Sequence, residues 1–254
     1  MKPIETAAHL HLPREIAGDV HNYIVHLHEE FGSNLISVTG FGCSVTGEYV
    51  HWKSDVNLLI ILRYASAEQL AKAANVTQRW LRRLPLDPVI LTPADLERSR
   101  DVIPVELVDW HHRHQALYGP DPLAEIDING QTLRVELEYS FRKKLARLRS
   151  HYLRVSNNER DLTQLLTGSI ESFLSQMTCM LFLHGKTPPL RVRELCTQLR
   201  FDFDLDGDIL YAIAMVKVGQ ASFRRGEPAL AFQRYLTCVE KMIDNVDALE
   251  FAGA

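Results

Sequence analysis

The period of the apolar positions changes near the middle of the chain. In the first half, apolar side chains recur at helical spacing over residues 14–31, and two β-branched runs, LISVTGF and VNLLIIL, follow. The second run is apolar almost throughout, which is typical of a strand covered on both faces. The pattern predicts strands at 35–41, 56–62, 88–92 and 104–110, and helices at 14–31, 66–84 and 93–100. Strands that alternate with helices indicate an α/β or α+β sheet domain.

The second half has helical periodicity only. Helices are predicted at 133–155, 159–184, 190–199, 207–223 and 228–250, with short polar or glycine-containing breaks between them. The stretch QALYGPDPLAEIDI, rich in proline and glycine turns, is interpreted as a linker. We therefore expect an N-terminal sheet domain over residues 1–125 and an all-α helical bundle over residues 126–254.

Composition narrows the class of protein. The 254 residues are 46% hydrophobic and 24% charged, which is typical of globular proteins and excludes intrinsic disorder. The formal net charge of −4 argues against a nucleic-acid-binding function. Residues 1–131 carry 11 basic and 17 acidic side chains, whereas residues 132–254 carry 17 and 15. This asymmetry is what two modules with different roles would produce.

The cysteines and the hydropathy indicate a compartment. Cys43, Cys179, Cys196 and Cys238 have no paired spacing, so we expect reduced thiols and a cytoplasmic protein. No apolar run is long enough for a transmembrane helix, and residues 1–13 contain no apolar signal core.

The chemistry is concentrated between residues 40 and 62. A glycine-containing turn, Gly42 to Gly47, follows a predicted strand, and such turns free backbone N–H groups to meet an anion. Asp55 and Asn57 stand two residues apart at the start of the next strand, so their side chains share one face. Oxygen ligands opposite a phosphate-binding turn are the components of a Mg²⁺–nucleotide site.

These residues resemble the nucleotidyltransferase superfamily, which includes DNA polymerase beta and the kanamycin-type adenylyltransferases. The family pattern is G-S-x-A-x-G followed by S-D-x-D and an apolar strand. Here it reads GCSVTG at 42–47 and SDVNLLI at 54–60. The segment ALYGPDPL is similar to the exit from the catalytic domain in bacterial members with a C-terminal helical domain. The likeness covers about residues 15–155 by motif, and the rest by helical character only.

The resemblance implies an activity and its residues. It implies binding of a nucleoside triphosphate with Mg²⁺ and transfer of a nucleotidyl group to a hydroxyl of a small molecule or protein. The phosphate-binding residues would be Gly42, Cys43, Ser44 and Gly47, and the catalytic, metal-binding residues would be Asp55, Asn57 and Glu106. Glu106 stands where the family has a third carboxylate on a later strand, and Asp109 competes for that role.

Two departures from the family pattern leave two hypotheses open. The serine after the first glycine is Cys43, a weaker hydrogen-bond donor, and the second metal-binding aspartate is Asn57, which carries no charge. An active transferase is one hypothesis. The other is a catalytically impaired relative that serves as a regulatory or interaction module.

Other features of the sequence favour ordinary structural roles. The stretch DFDLDGD at 202–208 matches half of a calcium loop, but Ile213 stands where the loop needs glutamate. The basic run at 142–154 is interpreted as a solvated helix face, with contact to an anionic substrate as the alternative. The apolar helix around 170–183 fits either a homodimer face or a core.

Overall fold

A computed structural model of the chain describes residues 10–51 and 53–249. The chain forms two compact units in this part. The sheet unit holds the residues up to Val102 together with Asp109–Asp127, and the helical unit holds Ile103–Val108 and the residues from Ile128 onward. The proposed boundary between 125 and 126 stays a prediction.

A four-stranded mixed sheet organises the sheet unit. Its strands are β1 (Leu35–Phe41), β2 (Val56–Leu62), β3 (Leu86–Leu91) and β4 (His114–Tyr118). They lie in the order β3-β2-β1-β4, with β2 and β3 parallel and both other pairs antiparallel. The predicted α+β class is thereby confirmed.

The sheet unit also contains helices. The helices are α1 (Arg14–Phe31), the short α2 (Cys43–Thr46), α3 (Ala67–Trp80), α4 (Pro93–Ser99) and α5 (Pro104–His112). Only the part of α5 from Asp109 onward belongs to the sheet unit. Alternate residues of β2, from Val56 to Leu62, share a buried core with apolar side chains of α1 and α3. The intervening residues, Asn57 among them, therefore point to the opposite face.

Two predicted elements differ from the structure. Residues 104–110, predicted as a strand, lie in α5, and Pro104 at its first position is a residue that helix starts prefer. Strand β4, by contrast, lies within the stretch that was interpreted as a linker. It is a five-residue strand at the edge of the sheet, too short for a clear apolar alternation.

The helical unit is all-α from Ile128 onward. Its helices are α6 (Gly130–Val155), α7 (Glu159–Leu183), α8 (Val192–Phe203), α9 (Gly207–Lys217) and α10 (Glu227–Asp247). The predicted helices agree in number and order, although the predicted 207–223 helix ends at Lys217, and residue 250 lies outside the described residues. Apolar residues of α7 between 170 and 181 are buried in the core of this unit.

The aspartates of residues 202–206 pair with basic side chains. Asp202 binds Lys186 at 2.6 Å, Asp204 binds Lys241 at 2.6 Å, and Asp206 accepts from Arg234 at 2.8 Å while capping α9. Ion pairs therefore account for a stretch that resembles a calcium loop. None of the helices within residues 10–51 and 53–249 is both long and apolar enough to cross a lipid bilayer.

Candidate functional site

The turn after β1 depends on Gly42. Its φ of +75° lies in a region that L side chains rarely adopt, and Gly47 closes the short α2 with φ +80°. The Gly42 N–H donates to the Arg113 carbonyl at 2.9 Å, and the Gly42 carbonyl accepts from Val45 N–H at 3.0 Å. Strand β4 thus holds the beginning of the turn, since Arg113 directly precedes it.

Asn57 packs directly against this turn. A Cβ atom at Gly42 would lie 3.0 Å from Asn57 Nδ2, so a larger residue there would require the Asn57 amide to shift. The Cys43 thiol lies 3.7 Å from the carbonyl oxygen of Asp55. The structure therefore brings together the turn and the start of β2, as the spacing of the motif indicated.

The two residues after Gly42 differ in access. Ser44 is fully buried, and its hydroxyl donates to the Phe41 carbonyl at 3.2 Å. Cys43 is half-buried at the surface of the turn. The serine hydroxyl is therefore engaged inside the turn, and Cys43 holds the accessible position.

A third candidate oxygen ligand lies on β3, and the sequence pattern did not indicate it. Asp87 is the register partner of Asn57 in the parallel pair of β2 and β3. Register partners in a sheet share a face, and Asp55 directly precedes β2, two residues before Asn57. Asp87 is exposed. The predicted strand starts at Pro88, two residues after the first residue of β3, so it leaves Asp87 out, and no sequence signal gives the register of a parallel pair.

The sequence-predicted third carboxylate is on a helix and not on a sheet strand. Glu106 is on helix α5, in the segment that belongs to the helical unit, and not on a sheet strand. Asp109, its competitor, lies on the same helix and forms an ion pair with Arg113. The expectation that either stands on a strand is wrong, because the PVELVDW segment is helical.

Tyr49 adds a hydrogen-bond donor beside the turn. Its hydroxyl is buried and has no hydrogen-bond partner among the described residues. Burial, and then the nearby Cys43 and Asp55, raise the pKa of Tyr49 above its ordinary value. The hydroxyl therefore keeps its proton at neutral pH, and it has no acceptor among the described residues.

The candidate metal ligands offer oxygen atoms but carry little negative charge. Within the part of the chain that the structure describes, no group of three or more His, Cys, Asp or Glu side chains could hold a metal ion. Asp55, Asn57 and Asp87 supply two carboxylates and one amide, which are ligand types that Mg²⁺ accepts. They fit one such cation better than two, because the amide contributes no negative charge.

Comparison with known proteins agrees with this fold. No protein-family model matches the chain, and no curated protein does. Among solved structures, the chain is similar to the crystal structure of spectinomycin adenyltransferase AAD(9) from Enterococcus faecialis, with ATP and spectinomycin. The TM-score is 0.57 and the identity 13%, over 88% of this chain and 98% of that one.

The likeness shows a fold. The mixed sheet with flanking helices, followed by helices, is a nucleotidyltransferase-like α+β architecture, as the sequence motif implied. At 13% identity it does not carry over the neighbour's substrates.

Proposed function

We propose that the chain is a nucleotidyltransferase that binds a nucleoside triphosphate with Mg²⁺ and transfers the nucleotidyl group to a hydroxyl of a small molecule. The observation that carries this proposal is the packing of Asn57 against Gly42, which joins the glycine turn to the Asp55 strand. Each component is weak evidence alone. Their combination at one edge of this fold is what a nucleotidyl-transfer site needs.

The chain's own residues would have separate tasks. The turn from Gly42 to Gly47 would position the phosphates, and the Tyr49 hydroxyl would donate to a phosphate oxygen. Asp55, Asn57 and Asp87 would hold Mg²⁺, with Asp87 in the role first assigned to Glu106. The metal would neutralise phosphate charge, and the acceleration would come mainly from positioning and electrostatics.

Asp87 would also orient the acceptor. A carboxylate beside the metal ligands can accept the proton of an attacking hydroxyl. The exposure of Asp87 leaves room for such an acceptor. Because the structural neighbour was solved with ATP and spectinomycin, we propose ATP as donor and a polyhydroxylated small molecule as acceptor. We also propose a reducing, cytoplasmic setting, because the four cysteines have no paired spacing in the sequence.

A second function is favoured by one observation. The neutral Asn57 lowers the charge available to a metal, so the chain could bind nucleotide without turning it over. Such a protein would be a nucleotide-binding regulatory module.

The Asn57→Asp variant separates these functions. We expect calorimetry to show Mg²⁺-dependent ATP binding by the wild type and about tenfold tighter binding by N57D, because the added carboxylate contributes on the order of 1.4 kcal/mol. Pyrophosphate release by the wild type with an acceptor, spectinomycin being the first tested, would support the transferase. Binding without release by the wild type, together with release by N57D, would support the regulatory module. No ATP binding by either protein would contradict both.

A further inference from the structure

A cavity of about 290 Å³ lies in the helical unit, between α8 and the first turn of α9. The cavity shares no residue with the site described above. The residues of that site lie in the sheet unit, apart from Glu106. Its lining combines charged and aromatic side chains, namely Arg193, Thr197, Arg200, Phe201, Asp208 and Tyr211.

The walls of this cavity follow from helix geometry. Residues 193, 197 and 200 are spaced by four and three along α8, so they share one face of the helix. Helix α9 begins against that face, because a Cβ at Gly207 would come within 2.2 Å of the Cys196 carbonyl oxygen. Glycine at this position thus lets the first turn of α9 form the second wall.

Two guanidinium groups give the cavity a cationic side. Arg193 lies over the Tyr211 ring, 4.3 Å from its centroid, so its plane is held in place. Arg200 lies 3.5 Å from an Asp208 oxygen, with 63% and 82% of the two side chains exposed. Such a long, solvated pair is weak and leaves Arg200 able to bind a stronger acceptor.

Two aromatic side chains also line the cavity. Phe201 is 80% exposed although it is a large apolar side chain, and Tyr211 is half-buried. An exposed ring next to a guanidinium pair offers a stacking surface for a planar ligand.

We propose that this cavity binds a small aromatic monophosphate of the nucleoside monophosphate class. Arginine forks bind phosphate oxygens in pairs, which suits Arg193 and Arg200, and the rings of Phe201 and Tyr211 stack on the base. The volume of the cavity is near the lower limit of small-molecule sites, which is the size class of a mononucleotide. The negative charge of Asp208 repels the phosphate and lowers the affinity of the cavity for the ligand.

The test uses a tryptophan reporter in the full-length chain. The natural tryptophans, at positions 52, 80 and 110, all precede the helical unit's main segment, so a Phe201→Trp substitution places a reporter ring at the cavity. We expect AMP to quench this reporter saturably, and adenosine or inorganic phosphate to bind at least tenfold more weakly. Adding Arg200→Ala should weaken AMP binding at least tenfold, whereas Asp208→Asn should tighten it about threefold.

Two controls keep the test independent of the reporter and of the proposed transferase site. Calorimetry with AMP on wild type, Arg193→Ala and Arg200→Ala repeats the measurement with Phe201 intact. Asp55→Ala in the reporter background should leave the quenching unchanged, so a failure of the transferase proposal does not affect this one. The proposal is overturned by absence of AMP binding in both assays, by phosphate binding as tightly as AMP, or by weaker binding in the D208N variant.

Discussion

At the scale of single residues, Gly42 links backbone conformation to the chemistry of the site. Its positive φ starts the turn, and its missing side chain gives the Asn57 amide its place. The same position therefore governs both stability and the shape of the candidate nucleotide site. A substitution of Gly42 should therefore change both the stability of the protein and the shape of the candidate site.

The first prediction concerns Gly42→Ala. We expect a loss of about 1–3 kcal/mol in the free energy of unfolding, because alanine is strained at this φ and its Cβ would press on Asn57. Urea unfolding measures it. Gly18→Ala is the matched control, since Gly18 lies within α1 with no atom within 4 Å of an added Cβ. This control should gain up to about 1 kcal/mol. Equal stability of the two variants would disprove the strain argument.

The second prediction concerns the Tyr49 hydroxyl. Tyr49→Phe removes a buried donor without a described partner, so thermal stability should be unchanged or slightly higher. If the hydroxyl donates to a nucleotide phosphate, the dissociation constant for Mg²⁺–ATP should rise about 3- to 10-fold, which corresponds to one neutral hydrogen bond. Tyr64→Phe, at an exposed tyrosine of the same unit, is the control. Unchanged ATP affinity in the Y49F variant would remove Tyr49 from the site.

The residues of the candidate site were predictable to different degrees. Gly42, Asp55 and Asn57 could be identified because the motif is local, and the turn and strand that carry it adjoin in the fold. Asp87 could not, because it reaches the site through the register of a parallel pair, and that register depends on packing between distant segments. Glu106 was assigned by similarity of letters to a strand motif, although the segment is helical.

Among the helices and strands, the elements whose ends are clearly marked in the sequence are predicted best. β1 and β2 have the predicted bounds because apolar runs end in glycine or polar residues. Helix α5 resembles a strand in sequence because it is apolar on more than one side, and its buried Val105 and Leu107, two residues apart, mimic alternation. In such a segment, Pro104 at the first turn is a better guide than periodicity.

Helices α6 and α7 are joined by a half-buried ammonium group. Lys144 Nζ donates to the Ser169 carbonyl at 3.2 Å and to Ser172 Oγ at 2.6 Å. Burial, and then the neighbouring Arg147, lower the pKa of Lys144 to about 8. Between about pH 8 and the ordinary value of 10.5, the unfolded chain keeps a proton here that the folded chain has released. The charged lysine therefore destabilises the fold below about pH 8, and this cost disappears as the pH rises.

The third prediction follows from this gain in stability with rising pH. The stability of Lys144→Met relative to wild type should fall by about 1–2 kcal/mol between pH 7.5 and pH 10, an estimate reduced from the full shift for partial solvent access. Urea unfolding at each pH measures the difference, and other titrations common to both proteins cancel. Lys143→Met, on the exposed part of the same helix, is the control and should show no such trend. A difference that does not change with pH would contradict the assignment.

At the scale of the whole molecule, the chain crosses between its two units more than once. Residues 103–108 leave the sheet unit, join the helical unit, and are followed by the segment that returns to form β4. Val105 and Val108 are buried in the same core as Leu133, Leu137 and Phe141 of α6. The Cys179 thiol on α7 lies 3.4 Å from the Val105 carbonyl oxygen. A short segment from the first half thus completes the helical core, which no compositional boundary could reveal.

The last prediction tests this exchange of segments. Val108→Ala removes two buried methyl groups and should destabilise the helical unit by about 2 kcal/mol. Hydrogen exchange should then show protection of the slowest α7 and α10 amides falling by roughly 10- to 30-fold, because they exchange through opening of that unit. Val102→Ala, at a residue 69% exposed, should change neither unit. An equal loss of protection in β1 and β2 would mean that Val108 stabilises both units together, and a loss confined to those strands would assign it to the sheet unit instead.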